Sequence, residues 1–255
     1  MRSGNFYDRL AELSKHMYDN PNKNFHDWKV IDTYSDNSGI FITLFDIGNK
    51  EILFSIRGTD VFENKDWKAD YKLFEKIAPN QIKSADDYYN RIKNNYQNIV
   101  FTGYSLGGSI AQILGSRYGN ETITIEAFAA GNIEKSKYTK NIINFGNLLD
   151  PIFKADLSNH IGDVYAIPSK LENNTVGSMV FHIYPLFGKP STARKIDKNM
   201  DIKTVYKDIK CVEPTVKNTY HLIKDGMIPS TQNTLRNFNK KAQQVTKHTL
   251  NKLKP

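Results

Sequence analysis

The sequence predicts an α/β fold, a mainly parallel sheet with helices on both faces. Three observations carry this. Short apolar runs alternate with helix-length segments through the middle of the chain, the order that gives parallel strands joined by right-handed crossovers. A single Gly-x-Ser-x-Gly sequence, Gly103–Gly107, stands between one such run and one such segment. Finally, 255 residues with 39% hydrophobic and 24% charged side chains suffice for a large core. That balance excludes wholesale disorder.

The elements follow in order. Asn5–Asp19 reads as a helix capped by Asn5, with Phe6, Leu10, Leu13 and Met17 at spacings of three and four. Asn20-Pro21-Asn22 ends it. Trp28–Tyr34, Gly39–Asp46 and Glu51–Arg57 read as strands separated by Asn- and Gly-rich turns, hence antiparallel neighbours at one end of the sheet. Asp66–Asn95 is polar and helical in pattern. Ile99–Thr102 suits a buried strand, Ser105–Tyr118 a helix, and Thr122–Phe128 another strand. Asn141–Phe145 and Val164–Ile167 are further strand candidates. Lys189–Ile228 shows no period. Ser230–Lys254 reads as a helix with a thin stripe of Leu235, Phe238, Ala242 and Val245. It could dock on the core, lie on a membrane or fray, and docking is the expectation. The predicted division is therefore a domain over 1–188 and a basic extension over 189–255 packed on the core.

Charge supports that division. The net charge is +8, yet residues 1–185 hold 20 basic against 22 acidic side chains, and residues 186–255 hold 15 against 5. A basic tail suits an anionic membrane or an acidic partner, or is simply a solvated face. It carries no named nucleic-acid motif, so nucleic acid is not an expected partner. Cys211 is the single cysteine, which excludes an intramolecular disulfide and disfavours a cysteine zinc site. No apolar run reaches the ~18 residues of a membrane span. The first residues lack the apolar core of a secretory signal. The expectation is a cytoplasmic chain, or one exported by a route that needs no such signal.

Gly103-Tyr104-Ser105-Leu106-Gly107-Gly108 fits a nucleophile elbow, in which a serine sits on a strained strand-to-helix turn. Glycines two positions either side relieve the crowding, and the helix N-terminus faces the reacting oxygen. Such a serine needs an acid and then a histidine later in the chain. Asp150, just past a predicted strand, is the favoured acid; Asp156 and Asp163 are the others considered. His182 and His160 compete as base, while His221 and His248 lie in the basic tail. The backbone N–H of Leu106 is the expected first oxyanion donor. Thr59, in Ile56-Arg57-Gly58-Thr59-Asp60, is a candidate second.

These segments carry a resemblance. Leu53–Asp60 followed by Asp66-Trp67 and Asp70, together with Thr102–Ala111, resembles the oxyanion segment and elbow of the class 3 (fungal-type) lipases, although that family often has His where Tyr104 stands. Asn147–Pro151 is similar to their acid loop. His160-Ile161-Gly162 with the later Phe181-His182 resembles bacterial members in which the later histidine is catalytic. The match covers roughly residues 40–185. The resemblance implies an α/β-hydrolase fold and a lipase or phospholipase A, with Ser105 as nucleophile, His182 as base, Asp150 as orienting acid, and Thr59 and Leu106 at the oxyanion. It implies no metal or organic cofactor. It implies a lipid ester as substrate, and places a lid at Val61–Phe74, although ordinary core packing would explain its apolar residues equally well. Two readings compete: a hydrolase of small esters or thioesters, and a non-catalytic scaffold binding an acidic partner through the tail. The sequence leaves the oligomeric state open.

Overall fold

The computed structural model describes residues 2–58, 67–148, 150–154, 156–168 and 189–199. The chain divides into two compact units, residues 1–170 with 178–211, and residues 171–177 with 212–255. All described residues belong to the first.

That unit is built on an eight-stranded sheet whose strands lie side by side in chain order. The strands are β1 (Lys29–Ser35), β2 (Phe41–Asp46), β3 (Glu51–Ile56), β4 (Asn98–Tyr104), β5 (Thr122–Ile125), β6 (Ile142–Gly146), β7 (Asp163–Ala166) and β8 (Arg194–Ile196). Strands β1 to β3 pair antiparallel, as the two short turns between them require. Strands β3 to β7 pair parallel, and β8 returns antiparallel to β7. The helices are α1 (Gly4–Asp19), α2 (Trp67–Ile92), α3 (Ser105–Tyr118) and the single turn α4 (Pro151–Lys154).

Both faces of the sheet are covered, and strand alternation decides what each face buries. On β3, Leu53 packs with Leu10, Leu13 and Met17 of α1, while Ile52, Phe54 and Ile56 pack with α2 and α3. The second layer is aromatic at its centre, where Phe54, Tyr89 and Phe101 meet edge to face. Helix α3 is buried along nearly its whole length. Its sequence therefore shows apolar and small residues rather than a sharp stripe. Gly119, at φ +77°, ends it by donating its N–H to the Gly115 carbonyl.

Several boundaries differ from the sequence reading. Ser3, not Asn5, is the cap residue of α1, and it makes no side-chain cap bond. Strand β5 stops at Ile125 rather than Phe128, because Glu126 turns out of the strand at φ +49°. The sheet also continues past residue 188. Residues 190–192 form a 3-10 turn against α1, where Ser191 donates through both N–H and Oγ to the Asp8 carboxylate at 2.8 and 2.7 Å. The chain then enters β8. The helix expected at Ser230–Lys254 lies outside the described residues, as does 61–66 of the expected lid.

Candidate active site

Strands β3 to β6 run parallel, so their carboxyl ends meet at one edge of the sheet, and Ser105, Leu106 and Asp150 lie just beyond those ends. Strand β4 ends at Tyr104 and α3 begins at Ser105 without an intervening loop. Ser105 takes φ +54°, a left-handed conformation rare for a residue with a side chain. The turn closes so tightly that a Cβ on Gly103 would stand 2.4 Å from the Gly107 carbonyl group. One on Gly107 would stand 2.3 Å from the Ile56 carbonyl oxygen. These contacts explain glycine two positions either side of the serine.

Gly58, just beyond β3, approaches the same turn. A Cβ there would lie 2.9 Å from the Tyr104 carbonyl oxygen and 3.2 Å from the Ser105 Cβ. Gly58 therefore lies directly against Ser105. Thr59 itself lies outside the described residues. Leu106 is buried in the first turn of α3, where backbone N–H groups have no helical acceptor. Ser105 is fully closed to solvent.

Asp150 is also fully buried. Its N–H donates to the Asn147 carbonyl at 2.9 Å, and its Oδ1 accepts the Ile152 N–H at 2.8 Å. It thus caps α4, whose first residue is Pro151. The turn-forming role of an Asp-Pro pair and a place at the sheet edge coexist in one residue. The Tyr104 phenol is held un-ionised: burial pushes it well above its usual range, and the nearby Asp150, Tyr18 and Glu126 push it further.

Glu126 was not singled out by the sequence reading. It leaves the end of β5 with 1% exposure. Both its carboxyl oxygens accept the Asn147 N–H, at 2.9 and 3.0 Å, and its carboxyl is hydrogen-bonded to that of Asp150. Burial, then the Asp150 charge and hydrogen bond, raise its pKa well above the usual carboxylate value. The available signal was a lone acid inside the apolar run Ile125–Ala130.

The histidines separate. His160 is buried against Phe153, with ring centroids 4.9 Å apart. Its Nε2 donates to the Phe153 carbonyl oxygen at 3.1 Å, and its Nδ1 meets no hydrogen-bond partner among the described residues. Burial lowers its pKa to about 4. The next residue, Ile161, donates its N–H to Gln112 Oε1 in α3, two helical turns beyond Ser105. His182 lies outside the described residues. Among the described residues, no group of three or more His, Cys, Asp or Glu side chains is placed to hold a metal ion. No described helix is long and apolar enough to cross a membrane.

A serine at left-handed φ between a parallel strand and its helix has the backbone form described for a nucleophile elbow. Residues 31–125 match the Mbeg1-like family. That span runs from β1 to β5 and holds both the Gly58 turn and the Ser105 elbow. The protein named Putative lipase ATG15 of the yeast Meyerozyma guilliermondii is 29% identical over 32% of this chain and 18% of its own length. The chain thus matches less than a fifth of that relative. Among solved structures, lipase II of Rhizopus niveus aligns at 15% identity and a TM-score of 0.44, over 64% of this chain and 80% of that one. MDLA of Penicillium cyclopium aligns at 15% identity and a TM-score of 0.43, over 76% and 77%. Over residues 31–125 the chain is thus similar to the Mbeg1-like family, and over about a third of its length to a protein named as a putative lipase.

Proposed function

We propose that the protein is a serine ester hydrolase acting on lipid esters, a lipase or phospholipase A. The observation that carries this is Ser105 at φ +54° on the β4–α3 turn, with the Gly58 loop against it. In this reading the Ser105 hydroxyl attacks the ester carbonyl carbon. His182 takes the serine proton and delivers it to the leaving alcohol. The Leu106 and Thr59 N–H groups hold the oxyanion. Water, activated by the same histidine, then releases the acyl group as a carboxylic acid. Asp150 orients the imidazole from the end of β6.

His182 is preferred over His160 for a stated reason. The His160 ring is committed to the Phe153 carbonyl, and the adjacent residue is tied to α3 two turns from the serine. Lipid esters are preferred over small soluble ones because Leu53–Asp60 and Thr102–Ala111 resemble the corresponding segments of the class 3 lipases.

The test compares wild type with Ser105→Ala on fluorogenic esters of short and long acyl chain, and on phospholipid vesicles. The expected result is a loss of about 10⁴-fold in kcat/KM for the variant. Turnover of the long-chain ester should also rise once it is presented in micelles or vesicles. Equal turnover by a folded Ser105→Ala protein would remove the serine from the mechanism. A preference for dissolved short esters would remove the lipid.

A further inference from the structure

We propose that Tyr18, at the end of α1, is a positioning residue for the reaction: its phenol oxygen fills the space beside Gly58 and holds that turn against Ser105. This rests on the reading of Ser105 as the nucleophile. It adds a residue from outside the Mbeg1-like match, which begins at residue 31.

Three groups border the place where Gly58 lacks a side chain. A Cβ there would stand 2.4 Å from the Tyr18 hydroxyl oxygen, 2.9 Å from the Tyr104 carbonyl oxygen and 3.2 Å from the Ser105 Cβ. The phenol of α1 and the root of the nucleophile's side chain therefore face the same small space. Gly58 is buried there, and the Tyr18 hydroxyl oxygen is closed to solvent. Rigid elements set the phenol in place. Leu10, Leu13 and Met17 bury the same helix against Leu53 of β3 and Val100 of β4. The Tyr18 ring stands edge-on to that of Tyr104, with 6.0 Å between centroids. Just past the helix, the Pro21 carbonyl accepts the Thr43 hydroxyl of β2 at 2.6 Å. The end of α1 is thus held to β2, β3 and β4 at once.

A small cavity of about 10 Å³ adjoins this contact, lined by Tyr18 and its helix, by Ser55 to Gly58 and by Thr102 to Tyr104. It has room for about one water. Gly58 therefore borders free volume on its α1 side, and the phenol oxygen keeps the turn from relaxing into it. In the proposed mechanism the second oxyanion donor is the N–H of Thr59, which belongs to the peptide group that starts at the Gly58 carbonyl. Displacing Gly58 displaces that group. The loss falls on the transition state, where the oxyanion exists, rather than on substrate binding.

The test uses Tyr18→Phe, which removes the hydroxyl and keeps the ring on Tyr104. On the best fluorogenic ester, kcat should fall about tenfold with KM unchanged and Tm close to that of wild type. Gly58→Ala supplies the second arm, because its Cβ would meet the Tyr18 hydroxyl oxygen. Alone, it should lose both rate and stability. In the double variant the new methyl takes the place that the hydroxyl has left. Its kcat and Tm should each exceed what independent effects would give, kcat by at least about threefold. Wild-type kcat in folded Tyr18→Phe, or a loss of kcat matched by a loss of folded protein, would overturn the positioning role. Strictly independent effects in the double variant would overturn the contact itself. Turnover retained by Ser105→Ala would overturn the nucleophile reading instead, and the coupling of positions 18 and 58 in Tm does not depend on that reading.

Discussion

At the residue scale, two histidines in neighbouring segments have different expected parts. His182→Ala should lower kcat/KM about 10³–10⁴-fold with little change in Tm, whereas His160→Ala should act chiefly on stability. His160 also predicts a pH dependence. Its folded pKa of about 4 lies below the ordinary 6.5, so the unfolded chain binds a proton that the folded one refuses. Stability is present above about pH 6.5 and is lost as pH falls through that window towards 4. The wild type should lose about 3 kcal/mol relative to His160→Gln between those limits, as read by urea unfolding at each pH. The serine and its two glycines were legible in the sequence because a left-handed serine between strand and helix imposes its spacing. Asp150 was legible through its place after a strand. Glu126 was not, because one acid in an apolar run reads equally as a strand-end residue. Its contact with Asn147, which follows a different strand, is visible only in the structure.

At the scale of elements, the elbow depends on two backbones meeting without side chains between them. Gly107→Ala would put a Cβ 2.3 Å from the Ile56 carbonyl oxygen, a backbone atom of β3 that moves only with the sheet. The expected cost is about 2–4 kcal/mol, together with loss of activity as the Gly58 loop is pushed from Ser105. Thermal unfolding and turnover of the purified variant check both. A Gly107→Ala protein of wild-type stability and rate would show that the β3–α3 contact is looser than described. The strands from β1 to β7 were readable from alternation and apolar runs, with boundaries off by one to three residues. Strand β8 was not. It has three residues, Arg194 and Lys195 are exposed, and it joins the sheet by pairing with β7 rather than by burying a face. Within it, Lys195 reaches Asp163 of β7 at 2.6 Å, a long-range contact with no local trace in the sequence.

At the scale of the molecule, the charge is divided between a near-neutral body and a basic tail. If the tail draws the protein to anionic lipid, turnover on anionic vesicles should fall several-fold between about 50 and 300 mM salt, as the Debye length shortens from roughly 14 to 6 Å. Turnover of a dissolved neutral ester should not change. Equal salt insensitivity on both substrates would detach the tail from substrate delivery. The mainly parallel sheet places the Gly58 loop, Ser105, Glu126 and Asp150 at one edge because β3, β4, β5 and β6 all point the same way. The fold class was readable from element order alone, and the convergence of these four positions follows from it.

The central claim is that Ser105 is the nucleophile, and covalent trapping tests it most directly. A long-chain fluorophosphonate would be incubated with the folded protein in the presence of vesicles, and the adduct located by peptide mass spectrometry. The account predicts a single adduct on Ser105, formed in step with loss of ester turnover and absent from Ser105→Ala. Turnover that persists after Ser105 is fully modified, or labelling that falls equally on other serines and on the variant, would contradict it.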